Sequence, residues 1–72
     1  MEKIAISTEK LKLDQFLKWA SIVNSGGEAK EIILAGTVQV NGKLALGRNK
    51  LIFAGDIVKV GANSYLVVKE AG

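Results

Sequence analysis

Four cations and two glycines carry the chemistry this sequence can do. Lys12, Lys30, Arg48 and Lys50 are positive groups suited to anionic oxygens. Arg48 offers a planar fork that fits a phosphate through two hydrogen bonds, whereas the lysines act as point charges. Gly26 and Gly27 stand where a helix is expected to begin, and bare backbone N–H groups there can hold one phosphate. The same pair can equally make a tight turn whose backbone angles need glycine. Lys12 and Lys30 can equally be solubilising charge. Lys43 sits beside a hairpin turn and either joins the cation set or only blunts a strand edge. Lys10 and Lys18 make a lesser case.

Other chemistries lack their residues. The 72-residue chain has no histidine and no cysteine, so the commonest general base is missing and no thiolate zinc site or disulfide can form. Asp14, Glu28, Glu31 and Asp56 each have a capping, turn or surface explanation, and no acid cluster or nucleophile–base pair is visible. Catalysis is therefore not expected, and no metal or cofactor is implied. The apolar runs fall far short of the ~20 residues a membrane span needs. Met1-Glu2-Lys3-Ile4 lacks the apolar run of a signal peptide. A cytoplasmic monomer is the default expectation.

Net charge is +3, and its distribution says more than its size. Residues 10–50 hold seven basic groups against three acids, while residues 51–72 balance. Hydrophobic content of 49% is enough for a core and too high for a disordered chain. The whole chain, 1–72, is expected to make one small domain.

The stretch Ser25 to Lys43 should position the cations. Ser25 followed by Glu28 is a capping-box pattern, and Ala29, Ile32 and Ile33 follow at helical spacing. A helix is expected over about Gly27 to Ala35, stopped by Gly36. Val38 and Val40 alternate with polar residues as a half-buried strand does, and Asn41-Gly42 is a type I′ hairpin signal. Upstream, Leu13, Phe16, Leu17 and Ala20 predict a helix from about Leu13 to Ser21. Lys3 to Ser7 reads as an edge strand, and Thr8 to Lys12 as a polar link. Downstream, Leu44 and Leu46 should share one face of the second hairpin strand. Gly47 to Lys50 reads as an exposed basic loop, and Leu51, Ile52 and Phe53 as core. Asp56 is expected to stabilise the Ala54-Gly55-Asp56 turn, followed by strands at Ile57–Val60 and Tyr65–Lys69. Trp19 falls at least about 100° off the Leu13–Ala20 stripe on an ideal helix. It either covers the neighbouring helix or loop, or stacks on a base. The sum is an α+β fold: two short packed helices on a small, mostly antiparallel sheet.

This order of residues resembles the S-four RNA-binding domain, also called the alpha-L motif. The carriers are Lys12-Leu13-Asp14-x-Phe16-Leu17, Ser25, Ala29-Lys30 with Ile32-Ile33, Gly36-x-Val38-x-Val40-Asn41-Gly42-Lys43, and Gly55-Asp56-x-Val58. They span a motif core of about 12–58. Ile6-Ser7-Thr8-Glu9 and Ser25 to Lys30 are similar to the small stand-alone YaaA-type branch. The resemblance implies binding of structured RNA, often ribosomal or transfer RNA, across the exposed face of the two helices and the adjoining loop. It places the family's basic positions on Lys12 and Lys30. The branch's dense basic loop is represented by Arg48 and Lys50 alone. Gly26 stands where the wider family usually has an arginine. The competing reading is a protein-interaction module that docks on a ribosomal or other acidic protein, with Trp19 and Leu34 as exposed anchors.

Overall fold

The hairpin forms where the glycine and asparagine chemistry demands it. Asn41 and Gly42 take positive φ, 52° and 82°, and join β3 (Val38–Val40) to β4 (Lys43–Leu44). The Asn41 side chain does further work: its Oδ1 accepts the Ile57 N–H at 2.9 Å and its Nδ2 donates to Asp56 Oδ1 at 3.0 Å. Asp56 Oδ2 also accepts the Phe53 N–H at 2.8 Å, closing the turn at Gly55 as expected. One carboxylate and one amide thus lock two turns together.

This computed structural model describes residues 1–71. Its main sheet has five strands in the order β1-β7-β6-β3-β4, with β1 at Glu2–Ile6, β6 at Ile57–Val60 and β7 at Asn63–Lys69. All its pairings are antiparallel except β1 with β7, which run parallel from Glu2 opposite Tyr65 to Ile6 opposite Lys69. A second, two-stranded sheet pairs β2 (Lys10–Lys12) with β5 (Leu51–Phe53), Lys12 opposite Leu51. The expected polar link is therefore a strand in its second half. Three residues are too few to show a period, and its partner lies about forty positions away.

Helix α1 runs over Leu13–Trp19 and α2 over Gly26–Leu34. The first stops earlier than its apolar spacing predicts because Ser21 adopts a left-handed φ of 60°. The second begins as expected, with Ser25 Oγ accepting the Glu28 N–H at 3.1 Å. The helices contact each other, and α1 also contacts β2 and β5 of the two-stranded sheet. Leu13, Phe16 and Leu17 of α1, Ala29 and Ile33 of α2, and Val38, Val40, Val58 and Val67 of the sheet are buried together. Each such large side chain contributes about 1.5–3 kcal/mol by leaving water. Every buried residue among those described is apolar.

Leu44 and Leu46 share one side of the chain as expected, and it is the outer side; the expectation that Leu51, Ile52 and Phe53 all return to the core is corrected. Leu44 pairs with Gln39, so it shares the outer face of that residue and is exposed; Leu46 is exposed too, and Ala45 between them is buried. Side chains alternate across a strand, so the burial of Val38 and Val40 fixes this parity. In Leu51-Ile52-Phe53, only Ile52 reaches the core, for the same reason. Trp19 is tied to the first strand of the sheet. Its indole N–H donates to the Ala5 carbonyl of β1 at 2.7 Å, and 54% of the residue stays exposed. No helix among the described residues is long and apolar enough to cross a membrane.

Candidate nucleic-acid interface

The site is built on the way α1 begins. Its first N–H groups have no earlier turn to bond, and Lys12 at the cap position supplies no side-chain acceptor. Loop 47–50 supplies carbonyls instead. The Leu13 N–H donates to the Lys50 carbonyl at 2.7 Å, and the Asp14 N–H to the Arg48 carbonyl at 3.2 Å. The Gln15 N–H donates to Asp14 Oδ1 at 2.8 Å. These bonds extend the β2–β5 ladder into the helix, so the basic loop is pinned along its backbone.

Arg48 adds a side-chain link. Its Nε donates to Asp14 Oδ2 at 3.3 Å, with the arginine side chain 47% and the aspartate 13% exposed. A terminal guanidinium nitrogen of Arg48 also lies 3.8 Å from where a Cβ on Gly26 would be. One side chain therefore spans the start of α1 and the start of α2. The sequence reading gave Arg48 no structural task; it has one. The resemblance expects an arginine at the Gly26 position, and here a guanidinium reaches that place from loop 47–50.

Lys30, Ile33 and Leu34 of α2 face Leu46, Gly47, Arg48, Asn49 and Lys50 across an open groove of about 440 Å³. Three of the expected cations, Lys30, Arg48 and Lys50, thus meet around one feature. Lys12 stands next to it, opposite Leu51 in the ladder and one residue before the amide bonded to the Lys50 carbonyl. Gly26 and Gly27 form the first turn of α2 beneath Arg48. Lys43 lies apart, on β4 beside the hairpin turn, and does not line the groove. The ion pairs among the described residues are Arg48–Asp14 and Lys69–Glu9, which leaves Lys12, Lys30 and Lys50 without carboxylate partners.

Asp14, which the sequence offers as a motif residue with a capping, turn or surface explanation, is the partner of Arg48. No local pattern could reveal a pair 34 positions apart. Asn49 and Leu46 were likewise missed as groove residues, because the pairing that folds the loop against α2 is non-local. Leu34, named in the protein-docking reading, is exposed and lines the same groove. A separate shallow pocket is lined by Leu11, Gln15, Lys18 and Trp19.

The arrangement is that of an S4 domain. The S4 domain family model matches residues 4–68, and the chain belongs to this family, the S-four RNA-binding domain its motifs resemble. One relative in particular is the probable ribosome maturation protein RlbA of Bacillus subtilis (strain 168). It is 39% identical over 66 residues, spanning 90% of this chain and 93% of that protein. Among solved structures, the trimeric heat shock protein 15 of Vibrio cholerae shares the fold, with a TM-score of 0.72 and 22% identity over 88% of this chain and 67% of that one. The 30S ribosomal protein S4e of Thermoplasma acidophilum does so with a TM-score of 0.63 and 20% identity, over 83% of this chain and 32% of its own length.

Proposed function

We propose that this protein is a non-catalytic binder of structured RNA, ribosomal RNA before transfer RNA, acting in the cytoplasm as a monomer. It grips the RNA backbone with Lys12, Lys30, Arg48 and Lys50 and with the first N–H groups of α2 at Gly26 and Gly27. The observation that carries this reading is the groove where Lys30, Arg48 and Lys50 converge, held by backbone bonds from the loop to α1. Duplex RNA keeps its major-groove base edges in a deep, narrow groove, so a cationic face suits its shape and phosphates. Relationship to a probable ribosome maturation protein supports a ribosomal target. The test is a titration of ribosomal RNA fragments against duplex DNA of equal length at one fixed salt concentration. Preferential binding of the RNA is expected, and equal binding refutes RNA selectivity.

A second reading, docking on a ribosomal or other acidic protein, is favoured by the exposure of Trp19 and Leu34, at 54% and 62%. Purification from cells with and without nuclease separates the two. Partners that nuclease removes are held through RNA, and partners that survive it are protein contacts.

A further inference from the structure

The groove has a feature that phosphate gripping leaves unused: its apolar lining. Leu34 and Leu46 come from different elements, stay 62% and 64% exposed, and line the same groove. Lys30 stands on the α2 side, and Arg48 and Lys50 on the loop side, with Asn49 between them in sequence. A continuous RNA duplex presents phosphates, ribose hydroxyls and polar minor-groove base edges to such a face but keeps the flat faces of its bases stacked inward. A ligand that fits both the leucines and the surrounding cations has a flat, weakly polar body attached to phosphates. An acidic protein helix would satisfy the leucines. It would also leave closely grouped cations facing a surface of lower charge density than a sugar–phosphate chain.

Building on the RNA-binding reading, we infer that this groove seats one unstacked nucleotide of the bound RNA, its base against Leu34 and Leu46 and its flanking phosphates on Lys30, Arg48 and Lys50. The amide of Asn49 both donates and accepts, so it can meet a base edge. Leucines in place of aromatics make the seat tolerant of base identity. The RNA recognised is then a bulged or looped element rather than an unbroken stem.

The test uses three RNA hairpins with one common stem: fully paired, carrying a single-nucleotide bulge, and carrying an abasic bulge. Binding is read by fluorescence anisotropy at one salt concentration. The protein is expected to bind the bulged hairpin about fivefold more tightly than the paired one, taking the lower end of what stacking on an aromatic contributes as the scale for contact with two leucines. The abasic bulge should lose that preference, which separates the base from the bend. The double variant Leu34→Ser with Leu46→Ser should bind all three hairpins alike. Both leucines are already exposed, so the variant should fold, and Leu46→Ser alone provides a milder version. Equal binding of all hairpins by the unaltered protein overturns the nucleotide seat and leaves the RNA-binding reading intact. Failure to bind any hairpin overturns both. A bulge preference that survives the double variant overturns the groove assignment. So does loss of a nuclease-resistant protein partner in that variant, with its hairpin affinities unchanged.

Discussion

Replacing Lys30 and Lys50 together with alanine tests the cation face most cleanly. Neither lysine has a carboxylate partner among the described residues, and both line the groove. The structural role of Lys50 belongs to its backbone carbonyl, which accepts the Leu13 N–H at 2.7 Å and persists in alanine. Folding stability should therefore stay the same while binding changes. If Lys12, Lys30, Arg48 and Lys50 each neutralise one phosphate, log affinity falls with log salt at a slope of about −2.8 to −3.6. The double variant should halve that slope. Relative to a reference near 1 M salt, two lost contacts weaken binding about 15- to 30-fold at about 0.15 M. Anisotropy titrations of a labelled ribosomal RNA fragment at four salt concentrations measure both quantities. The loss should shrink toward nothing as salt rises. An unchanged slope, or a loss as large at 1 M as at 0.1 M salt, would show that these lysines do not meet phosphates.

Stability should respond at other places. Ser25→Ala removes the acceptor for the Glu28 N–H and should cost about 0.5–2 kcal/mol in urea unfolding. Phe16→Ala empties a fully buried site and should cost about 3–5 kcal/mol, enough to leave much of so small a domain unfolded by circular dichroism at 25 °C. A double-mutant cycle of Asp14→Asn and Arg48→Gln should give a coupling of about 0.2–1 kcal/mol, because the arginine is half exposed; a coupling several times larger would mean the pair holds the loop unaided. Trp19→Phe loses the hydrogen bond to the Ala5 carbonyl and should cost about 0.5–1.5 kcal/mol without changing RNA affinity, since Trp19 lies outside the groove.

Local signals proved dependable where one short stretch decides the outcome. Ser25 caps α2, Asn41-Gly42 makes the turn, and Asp56 accepts from the residues around its own turn, all as their types indicate. What remained hidden depends on residues distant in sequence. The run Leu51-Ile52-Phe53 is apolar throughout, and only its pairing with β2 decides that the middle residue alone is buried. Which face Leu44 takes is decided by the hairpin register, which places it opposite Gln39. The cations Lys30, Arg48 and Lys50 could be named singly from their motifs. Their convergence depends on carbonyls of loop 47–50 capping α1, a contact that no helix-start pattern near Leu13 announces.

The parallel pairing of β1 with β7 sets a condition on synthesis. In the five-stranded sheet the first strand's ladder neighbour is the last one, so in a nascent chain Ile4 and Ile6 have no strand partner until Leu66 to Lys69 have emerged. Such far-separated contacts slow folding relative to a helical bundle of the same size. Trimming a few residues from the final strand would then release the opening one as well, and the protein should be lost as a unit rather than shortened.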